Sequence, residues 1–118
     1  MIKTNKRKTG TKYEQAAAEY LQDLGYEIIE SNYRCHGGEV DLIAKDGEYL
    51  VFCEVKYRSD SEAGHALEAV DLRKQRTIVR CAQFYLMEHG LDEQSIRFDV
   101  VGIQKKDIML IKDAFECV

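Results

Sequence analysis

Apolar positions along this chain recur first with a helical period and then with the two-residue period of strands, and the changes of period mark out its elements. Ala16, Ala17, Ala18, Tyr20, Leu21 and Leu24 predict a helix that Gly25 stops. Thr11 is its candidate cap, with Glu14 three residues later completing a capping box. Met1 to Thr9 have no apolar periodicity and are expected to form a flexible basic arm. Tyr26 to Arg34 reads as a strand that ends before Gly37-Gly38, and Val40 to Ala44 as a second, short apolar strand. Tyr49 to Arg58, rich in β-branched and aromatic residues, is the third. A polar loop from Ser59 to Gly64 leads into a long helix from about Ala66 to Glu88, closed by Gly90. Ile96 to Ile103 and Ile108 to Ile111 complete the sheet, with Lys105-Lys106-Asp107 between them. The order α-β-β-β-α-β-β, without repeats or a dividing linker, predicts one mixed α/β domain over residues 1–118.

The second and third strands carry the chemistry. Asp46-Gly47 lies between them, and Asp-Gly is a strong hairpin signal. With those two as the turn, Lys45 faces Glu48, Asp41 lies opposite Phe52, and Glu39 opposite Glu54. Cross-strand partners point to one face and the face repeats every second residue. Glu39, Asp41, Glu54 and Lys56 then share one side, and Val51, Cys53 and Val55 project from the other with Leu42. A turn longer or shorter by one residue would break the arrangement. Carboxylates crowded on one face repel each other, and a divalent cation offsets that cost directly. Mg²⁺ prefers oxygen ligands and is often held by one or two carboxylates plus substrate phosphates. Lys56 adds a compact positive charge suited to an anionic transition state or to lowering the pKa of an attacking water. The bland alternative is a wet hairpin face carrying ordinary surface charges.

Both helices add candidates. Glu14 shares a stripe with Ala18 and Leu21, and is either a capping residue, a site residue, or both. Leu67, Val70, Lys74, Ile78, Cys81 and Tyr85 form a seam that only Lys74 interrupts. Lys74 is a snorkelling side chain or a phosphate contact near the metal.

Composition changes this picture little. At 118 residues, 45% hydrophobic and 32% charged, the chain suits one compact core and a soluble surface. It holds no run of the ~18 apolar residues that a membrane helix needs, and no apolar stretch follows the basic N-terminus, so the cytoplasm is the expected address. The net charge of -4 argues weakly against a nucleic-acid partner, but its distribution matters more. Lys3, Lys6, Arg7, Lys8 and Lys12 open the chain without an acid, and Arg73, Lys74, Arg76 and Arg80 crowd the second helix. The four cysteines, Cys35, Cys53, Cys81 and Cys117, fit no zinc motif and are expected to be reduced thiols. His36, His65 and His89 are expected in loops or on the surface.

The segments GEVDLIA from Gly38 and VFCEVKYR from Val51 resemble the PD-(D/E)xK nuclease superfamily. More closely, the chain resembles the uncharacterised bacterial YraN family, which is similar to archaeal Holliday junction resolvases. EQAAAEYL from Glu14, NYR from Asn32, EAVDLRK from Glu68 and RFDVV from Arg97 extend the resemblance over nearly the whole chain. It implies a restriction-endonuclease-like core, a mixed five-stranded sheet flanked by helices. It also implies Asp41 and Glu54 as metal ligands, Lys56 as the catalytic lysine and a supporting acid at Glu14. Two positions depart from the pattern: Val40 stands where the superfamily has its proline, and Tyr13 where relatives commonly have glycine.

The expected function is therefore a Mg²⁺-dependent endonuclease, with Mn²⁺ as a substitute ion, acting on DNA, branched or structured DNA included, with RNA as the alternative substrate. Asp41, Glu54, Lys56 and Glu14 are the expected catalytic residues, and Asp41, Glu54 and Glu39 the expected metal ligands. Lys6, Arg7, Lys8, Arg58 and Lys74 are the expected nucleic-acid contacts. Related resolvases imply a homodimer. The alternative is a nucleic-acid-binding module that keeps the fold without cutting.

Overall fold

The computed structural model describes residues 8–58, 70–105 and 107–117, with the backbone alone at 8–11 and 58. The elements run α1 Lys8–Asp23, β1 Glu27–Cys35, β2 Gly38–Asp46, β3 Tyr49–Arg58, α2 Leu72–Glu88, β4 Ile96–Gln104 and β5 Asp107–Phe115. This is the order read from the sequence. The strands form one mixed sheet in the order β1-β2-β3-β4-β5, compatible with a restriction-endonuclease-like core. Only β3 and β4 run parallel. A parallel pair cannot be joined by a tight turn, and the segment containing α2 makes the crossover.

The two helices cover opposite faces. Ala17, Ala18 and Leu21 of α1 pack with Leu42, Ala44, Val51, Cys53 and Val101. Ile78, Val79, Ala82 and Tyr85 of α2 pack with Val40, Ile43, Phe52, Phe98 and Val100. Alternation along β3 divides Val51 and Cys53 from Phe52, as the strand period requires.

Several boundaries differ from expectation, each for a local reason. Helix α1 begins at Lys8, so Lys8 and Thr9 belong to it rather than to an arm; residues 1–7 lie outside the described residues. Thr11 is consequently inside the helix rather than at its start. The other end stops where expected. Gly25, at φ +100, donates its N–H to the Gln22 carbonyl at 3.0 Å while Tyr26 N–H reaches the Leu21 carbonyl at 2.9 Å, a Schellman closure that needs the left-handed glycine. Helix α2 starts at Leu72 instead of near Ala66, because Asp71 caps it: its carboxylate accepts the Lys74 N–H at 2.9 Å. Residues 66–69, with Leu67 and Glu68, lie outside the described residues.

The hairpin turn also moves. Asp46 pairs with Tyr49, so Gly47 and Glu48 are the turn residues, and Gly47 takes φ +61 at the first of them. Phe52 therefore pairs with Ile43 and not with Asp41. Each partner changes by two residues, which leaves the paired side chains from Leu42 to Cys53 on their expected faces. Leu42 pairs with Cys53, on the α1 side.

The cysteines are a correction. Cys35 at the end of β1 and Cys81 in α2 are joined by a disulfide with Cα atoms 5.5 Å apart, and only Cys53, buried, and Cys117, exposed, are free. Spacing gave no hint of this, because β1 and α2, far apart in sequence, meet only in the tertiary fold.

One charged cluster is wholly structural. Asp99 is fully buried in β4. Its Oδ1 accepts from Arg97 Nε and from the Asp113 N–H, both at 3.0 Å. Its Oδ2 accepts from Tyr26 Oη at 2.9 Å and Arg97 Nη2 at 3.0 Å. Arg97 extends the network to Asp46 at 2.8 Å. Removing one partner from such a buried set leaves the rest uncompensated. Asp99→Ala is expected to cost ~3–5 kcal/mol in urea unfolding. The disulfide closes a separation of 46 residues. Cys35→Ala, or reductant added to the wild type, is expected to remove ~2–4 kcal/mol in the same assay. Reductant should leave the variant unchanged.

Candidate metal and phosphodiester site

The site begins where the β2–β3 ladder stops. Regular pairing runs from Asp46↔Tyr49 to Leu42↔Cys53. Continued, it would put Asp41 opposite Glu54 and offer the Val55 N–H to Val40. Instead the Asp41 side chain takes that N–H at 2.8 Å to Oδ2. The alternation of β2 breaks at the same residue. Val40 joins Ile43 on the α2 side, although a regular strand would put it with Leu42. Across from Asp41 on β1, between the pairs Ser31↔Leu42 and Tyr33↔Val40, Asn32 adopts φ +56. A distortion shared by adjacent strands therefore turns the Asp41 carboxylate into the opening between β2 and β3.

Two acids gather around it. Carboxylate oxygens of Glu14, Glu39 and Asp41 lie within 4.8 Å of one another, each residue half-buried. Glu14 arrives from α1, at the open end of the stripe whose Ala18 and Leu21 are buried. Glu39 comes from the start of β2 and is also 3.4 Å from Arg34 Nε.

Glu54 stands outside that trio and is the most constrained acid of the site. Only 4% exposed, it has Lys56 Nζ at 3.6 Å and Lys74 Nζ at 3.7 Å, both from Oε2. Its Oε1 is buried without a hydrogen-bond donor. Burial first, and then the charge of Asp41, push its pKa up to about 8, against the pull of Lys74 and Lys56. A proton on Glu54 would also bridge to Asp41.

The structure thus brings Glu14, Glu39 and Asp41 together and joins Glu54 to Lys56 and Lys74. Lys74 reaches inward toward Glu54, across the face that α2 covers. Lys8 lies in α1 with only its backbone described, as does Arg58 at the end of β3, and Lys6 and Arg7 lie outside the described residues. His36 and His89 are exposed, and no helix among the described residues is long and apolar enough to cross a membrane.

A family model described as "Uncharacterised protein family UPF0102" matches residues 13–103. The chain belongs to the UPF0102 family. The resemblance to the YraN family read from the motifs is thereby borne out. A UPF0102 protein of Lachnoclostridium phytofermentans is 47% identical over 113 residues, covering 95% of this chain and 96% of the relative. Another, from Syntrophus aciditrophicus, is 47% identical over 117 residues, covering 96% and 92%. A third, from Marinobacter nauticus, is 43% identical over 121 residues, covering 98% of each. The UPF0102 match takes in Glu14, Glu39, Asp41, Glu54, Lys56 and Lys74.

A carboxyl group held neutral by burial has a clear pH signature. The folded state keeps a proton on Glu54 that the unfolded chain releases above its ordinary value of 4.5. Its contribution to stability is whole below that value and is lost as pH rises through about 8. In chelator, Glu54→Gln is therefore expected to match the wild type near pH 5 and to exceed its stability by ~2–4 kcal/mol near pH 9. Equal stability at both pH values would show that Glu54 is not held in this environment.

Proposed function

We propose that this UPF0102 protein is a metal-dependent endonuclease that hydrolyses phosphodiester bonds in DNA, with branched or structured DNA as the favoured substrate. The observation that carries this reading is the buried Glu54 carboxyl beside Asp41, one oxygen without a donor, at the edge of a trio of acids. Among the described residues no other acidic group of this kind occurs.

The donor set fits a hard divalent cation. All the candidate ligands are carboxylate oxygens, and Glu54 Oε1 is an acceptor that protein donors leave unused. Asp41 and Glu54 would hold the ion, with Glu39 and Glu14 gathered beside Asp41, and Mg²⁺ is the ion we assign, with Mn²⁺ as a substitute. A bound divalent cation supplies charge neutralisation at a phosphoryl oxygen and a water of lowered pKa.

The chain's own residues do the rest. The Val55 N–H fixes Asp41, so one carboxylate oxygen is oriented before any ligand arrives. Lys56, partly exposed and beside Glu54, can donate hydrogen bonds to a phosphoryl oxygen as its negative charge grows. Lys74 approaches the same carboxylate from α2 and adds a second ammonium to the electrostatic field.

The test is cleavage of labelled linear, flapped and four-way DNA in Mg²⁺ or Mn²⁺, with chelator as the blank. Wild type is expected to cut only with metal. Lys56→Ala is expected to lose ~10²–10³-fold in rate, as when a charge-stabilising donor is removed, and Asp41→Ala at least as much. Cutting that persists in Asp41→Ala would refute the assignment. Binding without cleavage across the panel would transfer the fold to the role of a nucleic-acid-binding module.

A further inference from the structure

We infer that a cavity between α2 and the β1–β2 turn is a second phosphate site, which takes a backbone phosphate of the nucleic acid adjacent to the one engaged at the carboxylates. The inference rests on the reading that a nucleic-acid strand reaches Asp41 and Glu54. It adds where that strand continues.

The cavity has a volume of about 420 Å³, and Lys56 and Lys74 line it. Both ammonium groups reach a single carboxylate oxygen, Glu54 Oε2, at 3.6 and 3.7 Å. Two ammonium groups share this one carboxyl oxygen, so a surplus of positive charge remains at the cavity wall whether or not Glu54 carries its proton. Arg73, exposed in the first turn of α2, lines the same space and adds a third cation. Asp71 is the acid among the described lining residues, and its Oδ1 already accepts the Lys74 N–H as the helix cap. The positive end of the 17-residue α2 opens here as well, which favours an anion.

The opposite wall is Gly37-Gly38. A Cβ at Gly38 would overlap the Thr77 side chain and crowd Cys81 Sγ, so the turn lies flush against α2 and adds no side chain to the cavity. The Cys35–Cys81 disulfide ties the two walls together. A space with several cations, a helix N-terminus and a glycine wall suits a phosphate oxygen approaching closely. Lys56 belongs both to this cavity and to the carboxylate site, so the phosphate it takes belongs to the same strand. Arg73 is the residue that distinguishes the second site from the first, because it does not contact Glu54 among the ion pairs of the described residues.

The experiment measures binding of a labelled four-way DNA by fluorescence anisotropy over a salt series, with Ca²⁺ replacing Mg²⁺ so that cleavage is held off. Arg73→Gln is expected to weaken binding roughly tenfold and to lower the salt slope by about one, as for one lost phosphate contact. Lys112→Gln, at the Asp46 end of the sheet, is the control and should leave the slope unchanged. A single methylphosphonate moved along the strand should weaken the wild type at a position, next to the one engaged at the carboxylates, where Arg73→Gln is indifferent.

Cleavage of the same DNA by wild type in Mg²⁺ is read separately. If the wild type does not cut but Arg73→Gln still binds less well with a shallower slope, the nuclease reading fails and the cavity assignment stands. If the wild type cuts and Arg73→Gln binds DNA as the wild type does, the cavity assignment is overturned alone. Equal losses in Arg73→Gln and Lys112→Gln would also overturn it, because diffuse charge would then account for both. A wild type that binds no DNA overturns it as well.

Discussion

The Asp41 carboxylate takes the Val55 N–H at 2.8 Å where a β2 carbonyl would otherwise accept it, and the arrangement of the site depends on that substitution. A buried backbone N–H must find an acceptor, so a side chain that replaces the ladder is held as firmly as the ladder itself. The exchange ends β2–β3 pairing at Leu42↔Cys53 and turns Val40 to the opposite face. Positive φ at Asn32 on β1 accompanies the break. Without this opening, Asp41 would be one more residue of a flat hairpin, and Glu14 of α1 and Lys74 of α2 would be separated by an unbroken sheet.

Two buried acids show how differently the fold treats its charges. Asp99 receives four hydrogen bonds, from Arg97 Nε and Nη2, Tyr26 Oη and the Asp113 N–H, and both of its oxygens are satisfied. Glu54 is nearly as buried, yet one oxygen lacks a donor and its ammonium neighbours stand 3.6 and 3.7 Å away. Satisfied networks fix a structure, whereas an acid left short of partners is destabilising unless a ligand supplies them. The Asp46 end of the sheet therefore has its charges satisfied, and the Asp41 end leaves an acceptor open. Strain at the Asp41 end is tolerable because the two helix-covered cores hold the strands on either side of it.

The packing of α2 links the fold to the site. Gly38 lets the β1–β2 turn lie against Thr77, and the disulfide holds Cys35 to Cys81 in the adjoining turn of the helix. Asp71 sets where α2 begins, and hence which face Lys74 presents. A capping residue, a glycine and a cross-link together decide where Lys74 stands beside Glu54.

The sequence by itself determined the element order and the faces of the paired part of the hairpin, from Leu42 to Cys53. Those properties follow from local periodicity and turn chemistry, and the faces survived a shift of the turn from Asp46-Gly47 to Gly47-Glu48 because side-chain direction repeats every two residues. It also marked Glu14 and Lys74 as polar residues on apolar stripes, and offered Thr11 as a cap, which α1, starting at Lys8, places inside the helix. Only the tertiary structure decided the break at Asp41, the trio of Glu14, Glu39 and Asp41, the unpartnered oxygen of Glu54, and the Cys35–Cys81 bridge. Each joins residues distant in sequence through the packing of both helices on one sheet, and a period along the chain carries no information about which residues meet across it.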